Sequence, residues 1–338
     1  MGATIRDVAR KAGVGLGTVS RVLNNSPLVS QPTRERVLAV IAELRYKPSQ
    51  IARSFALGRT LTIATIAPFF TRPSVVERLR GIEATLAGSE YNLVVFNVET
   101  IERRAASLRD AARRDRSDGV LIISLVPAPD EVAALHESGV PIVMIDALID
   151  TLPSVGIDNT SGGMLATQAL IDLGHRRIGF VGDLLDDPLT FQFTSSRDRL
   201  AGYQQALTSA GIAPSPAYIE HTVHGRYEAR LVAHKLLQVA EPPSAIFAAS
   251  DTQAMGVLEA ARDLGLAVPE QLSVIGFDDI DIAEYLGLST VRQPLFESGA
   301  RSVELLMTIL SDPVAPVCPK EILSCELVLR ATTSAPAS

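Results

Sequence analysis

"AGVGLGTVSRVLNN", residues 12 to 25, sets glycines at 13, 15 and 17 and then runs into a helical pattern. Two readings compete for these glycines: a loop that cradles a nucleotide's phosphates, or the turn and first residues of a helix that grips nucleic acid from outside. A dinucleotide loop needs a strand before the glycines, a helix after them and an acidic residue about twenty positions on. Here Ile5, Val8, Ala9 and Ala12 recur at helical spacing ahead of Gly13, so a helix and not a strand precedes the glycines, the charge at that distance is mainly basic with Arg34 and Arg36 around Glu35, and the lysine of a Walker loop is missing. The phosphate-loop reading therefore fails on context. What remains is a pair of helices joined by a tight glycine turn, the spacing of a helix-turn-helix.

The flanking residues fill in a three-helix head. Thr4 caps the first helix with Asp7 at the capping-box position, and Gly13 ends it. The second helix passes through Val19, Val22 and Leu23 and is stopped by Asn24-Asn25-Ser26-Pro27. A third is expected from Thr33 to Leu44 with Val37, Leu38, Ile41 and Leu44 inward. After Tyr46-Lys47-Pro48 comes "SQIARSFALGRT", residues 49 to 60, a basic linker with too little apolar surface to fold alone. Charge divides the chain at the same place. Residues 1 to 60 hold ten Lys or Arg against three Asp or Glu, a net of +7, which leaves -14 on the rest of a chain whose total is -7. A basic head on an acidic body suits a polyanion held by the head alone.

From residue 61 the period changes. The runs "LTIATIAP", "YNLVVFNV", "DGVLIISL", "PIVMID" and "SVGID", then "RRIGFVGD", "AIFAAS", "LSVIGFDD" and "STVRQP", alternate with amphipathic helical segments. Buried strands alternating with helices give parallel sheets covered on both faces, and two such sets predict two lobes. Ligands of open α/β sheets sit beyond the carboxyl ends of the strands, so residues there are the candidates for a cleft. No run approaches the eighteen or so apolar residues that cross a bilayer, and "MGATIRDVARKAGV" has no apolar signal core. The expected setting is the cytoplasm, with no membrane partner. The two cysteines, Cys318 and Cys325, read as reduced thiols, and no cofactor motif or nucleophile constellation stands out. His175, at the end of "LIDLGH", is expected to cap helix carbonyls.

"TIRDVARKAGVGLGTVSRVLNN", "VSQPTRERVLAVIAELRYKPSQIARSF", "VGIDN", "LIDLGHRRIGFVGD", "SRDRLAGYQQAL" and "LSVIGFDD" together resemble the lactose-repressor family of bacterial transcription regulators, over essentially the whole chain from Thr4 to Thr333. The resemblance implies an α/β protein. It would have an all-α helix-turn-helix head at residues 1–48, a hinge helix at 49–60 and a two-lobed, periplasmic-binding-protein-like body at 61–338. It implies a regulator rather than an enzyme, on the nucleoid when bound to DNA. A homodimer would read a pseudo-palindromic operator in double-stranded DNA while a small effector in the cleft changes operator affinity. With no apolar heptads after "LVLRATT", dimers are expected rather than tetramers.

Carried over by position, the recognition helix begins at Gly15 and turns Leu16, Gly17 and Arg21 to the bases, with Thr18, Ser20 and Asn25 near phosphates; Thr4 and Arg53 join the DNA-contacting set. Many relatives have serine where Gly15 stands, and Gly17 offers no side chain to any base. Readout then falls on Arg21, which suits guanine, and on Leu16, which either touches a thymine methyl or packs on the head itself. Phe55 stands where relatives carry a leucine that wedges into the minor groove; the alternative is a core contact. In the cleft the resemblance points to Ser74, Val75, Asp146, Ser195, Arg199, Tyr227, Ser250, Asp278 and Gln293. Arg197 rivals Arg199, and one of Asp278 and Asp279 serves only as a strand-end cap. Carboxylates, a bidentate arginine and an aromatic platform favour a sugar, with a nucleoside or purine as the alternative. A solute-binding protein without DNA binding is the other whole-protein reading; it predicts a signal peptide and no basic head.

Overall fold

The computed structural model describes residues 3–23, 26–46, 58–185, 191, 193–312 and 319–337. The expectations placed on Asn25, Arg53, Phe55 and Cys318, and most of the hinge segment, lie outside these residues. The chain forms two compact units, residues 1–60 and 61–338.

In the first unit, α1 (Ile5–Ala12) begins at a complete capping box. The Asp7 amide donates to the Thr4 hydroxyl and the Thr4 amide donates to the Asp7 carboxylate. Such a cap is worth about 1 kcal/mol. Gly13 closes the helix at φ +66, a left-handed conformation that only glycine adopts without strain. Two residues on, α2 (Leu16–Leu23) follows, then α3 (Gln31–Glu43), longer at its start than the sequence suggests because Pro32 fits a first turn. Val8, Ala9, Ala12, Val19, Val22, Val37 and Val40 form the core with Tyr46. Leu38, expected inward, is 47% exposed, and Val40 takes its place on the buried face with Val37.

The second unit is two six-stranded layers. Lobe 1 has β1 (Thr62–Pro68), α4 (Pro73–Leu86), β2 (Asn92–Val98), α5 (Ile101–Ala111), β3 (Gly119–Ile123), α6 (Pro129–Ser138), β4 (Ile142–Ile145) and β5 (Ser154–Ile157). Lobe 2 has α7 (Asn159–Asp172), β6 (Ile178–Asp183), α8 (Ser195–Ser209), β7 (Ile219–Thr222), α9 (Arg226–Leu237), β8 (Ala245–Ala248), α10 (Asp251–Asp263), β9 (Ser273–Asp278), α11 (Asp281–Tyr285) and β10 (Ser289–Arg292). The chain then returns to lobe 1 as α12 (Leu295–Ser311) and β11 (Lys320–Leu323) and ends in lobe 2 with β12 (Glu326–Val328). The sheet orders are β11-β5-β4-β3-β1-β2 and β12-β10-β9-β8-β6-β7, parallel throughout except for β12 against β10.

Each sheet is covered on both faces. In lobe 1, Val120 and Ile122 face α5 and α6 while Leu121 and Ile123 face α4 and α12, the period of two that a doubly buried strand requires. All nine strands read from the sequence are present. It missed β7, β11 and β12, which are four residues or fewer and only half-buried, so they carry no apolar run. Two helix crossings bring backbones into contact. A Cβ on Gly163 of α7 would lie 2.2 Å from the Arg199 carbonyl oxygen, and one on Gly299 of α12 would lie 2.1 Å from that of Arg78. Both arginines are thereby set at fixed depth.

Candidate functional site

Parallel strands deliver their carboxyl ends to one edge of each sheet, and the two edges enclose about 550 Å³ of space, mouth included. Pro68, Arg72, Ser74, Val75, Arg78, Ser124 and Asp146 line it from lobe 1; Asp183, Phe193, Ser195, Ser196, Arg199, His224, Ala249, Ser250, Asp278 and Gln293 line it from lobe 2 and the crossing segment. The backbone here is held in sparsely populated conformations: Ser124 at φ 57, Asp146 at 71, Asp278 at 116 and Asp279 at 57 all follow or end strands. Such outliers cost about 1–3 kcal/mol each and gather at ligand sites.

A buried ionic network crosses the cleft. Arg78 Nη2 donates to Gln293 Oε1 at 3.0 Å and lies 2.8 Å from Asp146 Oδ1, while Gln293 Nε2 donates to Asp278 Oδ1 at 2.5 Å. Arg199 approaches Asp278 at 3.5 Å, donates to Asn159 Oδ1 and the Ala249 carbonyl, and stacks 3.6 Å over the Phe277 ring. Ser124 donates to Asp146 Oδ2 at 2.7 Å. Burial pushes the Asp278 carboxyl above its ordinary range, against the pull of Arg199 and Arg78. Arg78 Nε is buried without a hydrogen bond, and Asp146 Oδ1, also without one, is held by its ion pair with Arg78 Nη2 at 2.8 Å. Leaving a buried donor such as Nε unbonded costs about 1–3 kcal/mol.

Behind this wall, Asp251 at the start of α10 is fully buried and accepts from the Ile280 amide at 2.9 Å and the Thr290 hydroxyl at 2.6 Å. It holds the turn that carries Asp278. Burial and the neighbouring charge of Asp278 push its carboxyl up to about 8. Asp183, ending β6, has the opposite balance. Burial raises it, but the His224 hydrogen bond and the charges of His224, Arg72 and Arg199 bring it below the carboxylate range.

Of the residues the sequence singled out for the cleft, Ser74, Val75, Asp146, Ser195, Arg199, Ser250, Asp278 and Gln293 lie in this wall. Tyr227 does not. It sits two residues before Ala229 on α9, about 200° around the helix from the buried face, and is 60% exposed. The ring in the wall is Phe193. Arg197 is exposed and pairs with Asp198, so Arg199 is the arginine of the cleft. Asp279 binds Arg292 and Arg330, which makes it the structural member of its pair. His175 is buried between the lobe 2 sheet and the C-terminal segment, bonded to Ser244, Ser273 and the Ser334 carbonyl, rather than capping α7. The sequence missed Arg72, Arg78, Ser124, Asp183, Phe193 and His224. Asp183 had a legible signal, since it closes "IGFVGD" as Asp278 closes "VIGFD". Arg78 had another, a charge at i+3 from Val75 and i-4 from Ile82 on an apolar face.

In the head, Leu16 is 46% exposed, Arg21 is exposed, and Thr18 and Ser20 are half-buried. A Cβ at Gly15 or Gly17 would meet nothing within 4 Å, so neither glycine is demanded by the head's own packing. Thr4 is engaged by Asp7.

A helix-turn-helix head beside a two-lobed body with a polar cleft defines a ligand-controlled DNA-binding protein. Comparison with known proteins gives the family. Residues 4–49 match the model of bacterial regulatory proteins, lacI family, and residues 167–333 match a periplasmic binding protein-like domain. The chain is 35% identical to Catabolite control protein A of Priestia megaterium, covering 90% of this chain and 92% of that one, and 35% identical to the ribose operon repressor of Haemophilus influenzae, covering 92% and 93%. Among solved structures it is similar to the lac repressor dimer bound to operator and the anti-inducer ONPF, with a TM-score of 0.87, 26% identity and coverage of 99% and 100%. It is also similar to a transcriptional regulator CelR-cellobiose complex, with a TM-score of 0.72, 31% identity and coverage of 98% and 99%. The chain belongs to the lacI family and is a DNA-binding transcriptional regulator, not an enzyme. Among the described residues no helix is long and apolar enough to cross a membrane.

Proposed function

We propose that the protein is a repressor that binds a pseudo-palindromic operator as a homodimer, at the nucleoid, and that a sugar in the cleft controls its grip on DNA. Arg21 and Leu16 read bases, Thr18, Ser20, Asn25 and Thr4 lie near the backbone, and Arg53 and Phe55 engage the minor groove. Gly17 leaves a gap in the readout. In the cleft, Asp146, Arg199 and Asp278 bind vicinal hydroxyls, with Ser74, Val75, Ser195, Ser250 and Gln293 around them. The observation that carries this reading is one cavity wall that combines carboxylate acceptors, Asp146 and Asp278, with guanidinium donors, Arg78 and Arg199. A hydroxyl gives and accepts a hydrogen bond at once and suits such a wall. Two relatives, the ribose operon repressor and the CelR-cellobiose complex, are named for sugars, which supports the same class. Nucleosides carry a ribose and are the second class to test.

A thermal-shift screen of sugars and nucleosides tests the reading, since ligand at a hundred times its dissociation constant adds about 2.7 kcal/mol. A sugar that stabilises the wild type and leaves Asp278→Asn unshifted supports it. Stabilisation that survives Asp278→Asn undiminished places the ligand elsewhere.

A further inference from the structure

Arg72 differs from the other cations of the cleft. Arg78 and Arg199 are buried and bonded to carboxylates and amides. The Arg72 side chain lines the same cavity half-buried, and among the described residues it makes no hydrogen bond and no ion pair within 4 Å. Its contacts are apolar: Cζ lies 4.2 Å from the ring centroid of Phe69 and 5.5 Å from that of Phe193. The two rings meet edge to face at 6.5 Å, and Phe69 also packs at 5.5 Å on Phe191, which lobe 2 sends into the lobe 1 core. The guanidinium is thus pinned by rings that are themselves fixed, with its five N–H donors unused.

The nearest opposing charge does not answer it. Asp183 feels Arg72 only through space, and its carboxylate already accepts from Gln253 Nε2 at 2.9 Å and His224 Nδ1 at 3.1 Å. Each of the three cleft carboxylates thus has hydrogen-bond or ion-pair partners other than Arg72, and among the described residues Arg72 is the cleft arginine that bonds to none of them. Ser195 and His224 Nε2, in the same wall, also lack partners among the described residues. Hydroxyls match the Arg78–Asp146 end of the cavity, but a neutral hydroxyl takes one Arg72 donor and brings no charge, whereas a planar or tetrahedral oxyanion takes two of its donors at once.

We propose that the effector is an acid-bearing sugar, whose carboxylate or phosphate is bound by Arg72 between Phe69 and Phe193 while its hydroxyls meet Arg78, Asp146 and Asp278. This rests on the cleft being the sugar site. Both acid groups share the recognition chemistry, and the experiment separates them.

Full-length protein is titrated calorimetrically with gluconate and glucuronate, with glucose 6-phosphate and ribose 5-phosphate, and with glucose and ribose as neutral parents. One acid-bearing arm is expected to bind, its neutral parent roughly 10- to 100-fold more weakly, the equivalent of one charge-assisted hydrogen-bonded pair. Arg72→Gln is expected to erase that difference by weakening the acid compound alone, and Arg72→Lys to retain part of it. A neutral parent that binds as tightly as its acid, with Arg72→Gln changing neither, overturns the proposal and leaves the sugar site standing. If neither class binds, the sugar reading and the proposal fall together.

Discussion

Leu16, Gly17 and Arg21 on α2 and Arg78, Asp146, Arg199 and Asp278 in the cleft are held in opposite ways. The helix residues are exposed, and a side chain added at position 17 enters open space. The cleft residues are nearly solvent-free and bonded to one another across two lobes, with Asp146 and Asp278 held at positive φ. A surface that reads DNA is free to change residue by residue without disturbing the head's core. A cavity built from mutual ion pairs is not, because each residue that serves a ligand also neutralises its neighbour. Function and stability are separable in the head and coupled in the cleft.

The contrast is broken most severely by removing one member of the network. Arg199→Ala removes the stronger of the two guanidinium charges that compensate the buried Asp278 and is expected to cost about 3–5 kcal/mol in urea denaturation. A loss below about 1 kcal/mol would show that water enters freely and that the coupling is weak. A subtler probe is pH. Asp251 has its folded value pushed up to about 8 from 3.8, so the native state holds a proton that the unfolded chain has released between those values. Its contribution to stability is full below about pH 4 and declines as pH rises towards 8. Asp251→Asn keeps one acceptor for the Ile280 amide and offers a donor to Thr290, so its urea midpoint is expected to fall less between pH 5 and pH 8 than that of the wild type. Equal slopes contradict the assignment. The smallest stability effect is expected in the head. Gly17→Gln replaces a poor helix former by a good one, a gain of under about 1 kcal/mol, yet shifts preference among duplexes. Unchanged preference would mean that α2 docks on DNA by another face.

What was legible in the sequence divides along the same line. The turn at Gly13, the Thr4–Asp7 cap and the strand-end aspartates could be read because each depends on residues near one another in the chain. The strands of both cores announced themselves as apolar runs. Arg72, Phe193 and His224 could not be found that way. Their meeting depends on a segment after β6 that carries Phe191 and Phe193 from one lobe to the other, and no local pattern encodes that crossing. Tyr227 was misplaced for a related reason. It was assigned by its position in the resemblance, but α9 buries Ala229, Val232 and Ala233, which leaves Tyr227 in its first turn facing solvent.

The central claim is that occupancy of the cleft controls the grip on DNA. The most direct measurement is fluorescence anisotropy of full-length protein on a duplex from its own upstream region, with and without the compound that raises its melting temperature, for wild type and Asp278→Asn. The account predicts that saturating compound changes the wild-type dissociation constant by about 5- to 150-fold and leaves that of Asp278→Asn unchanged. A wild-type constant that does not move while the cleft is saturated would contradict it.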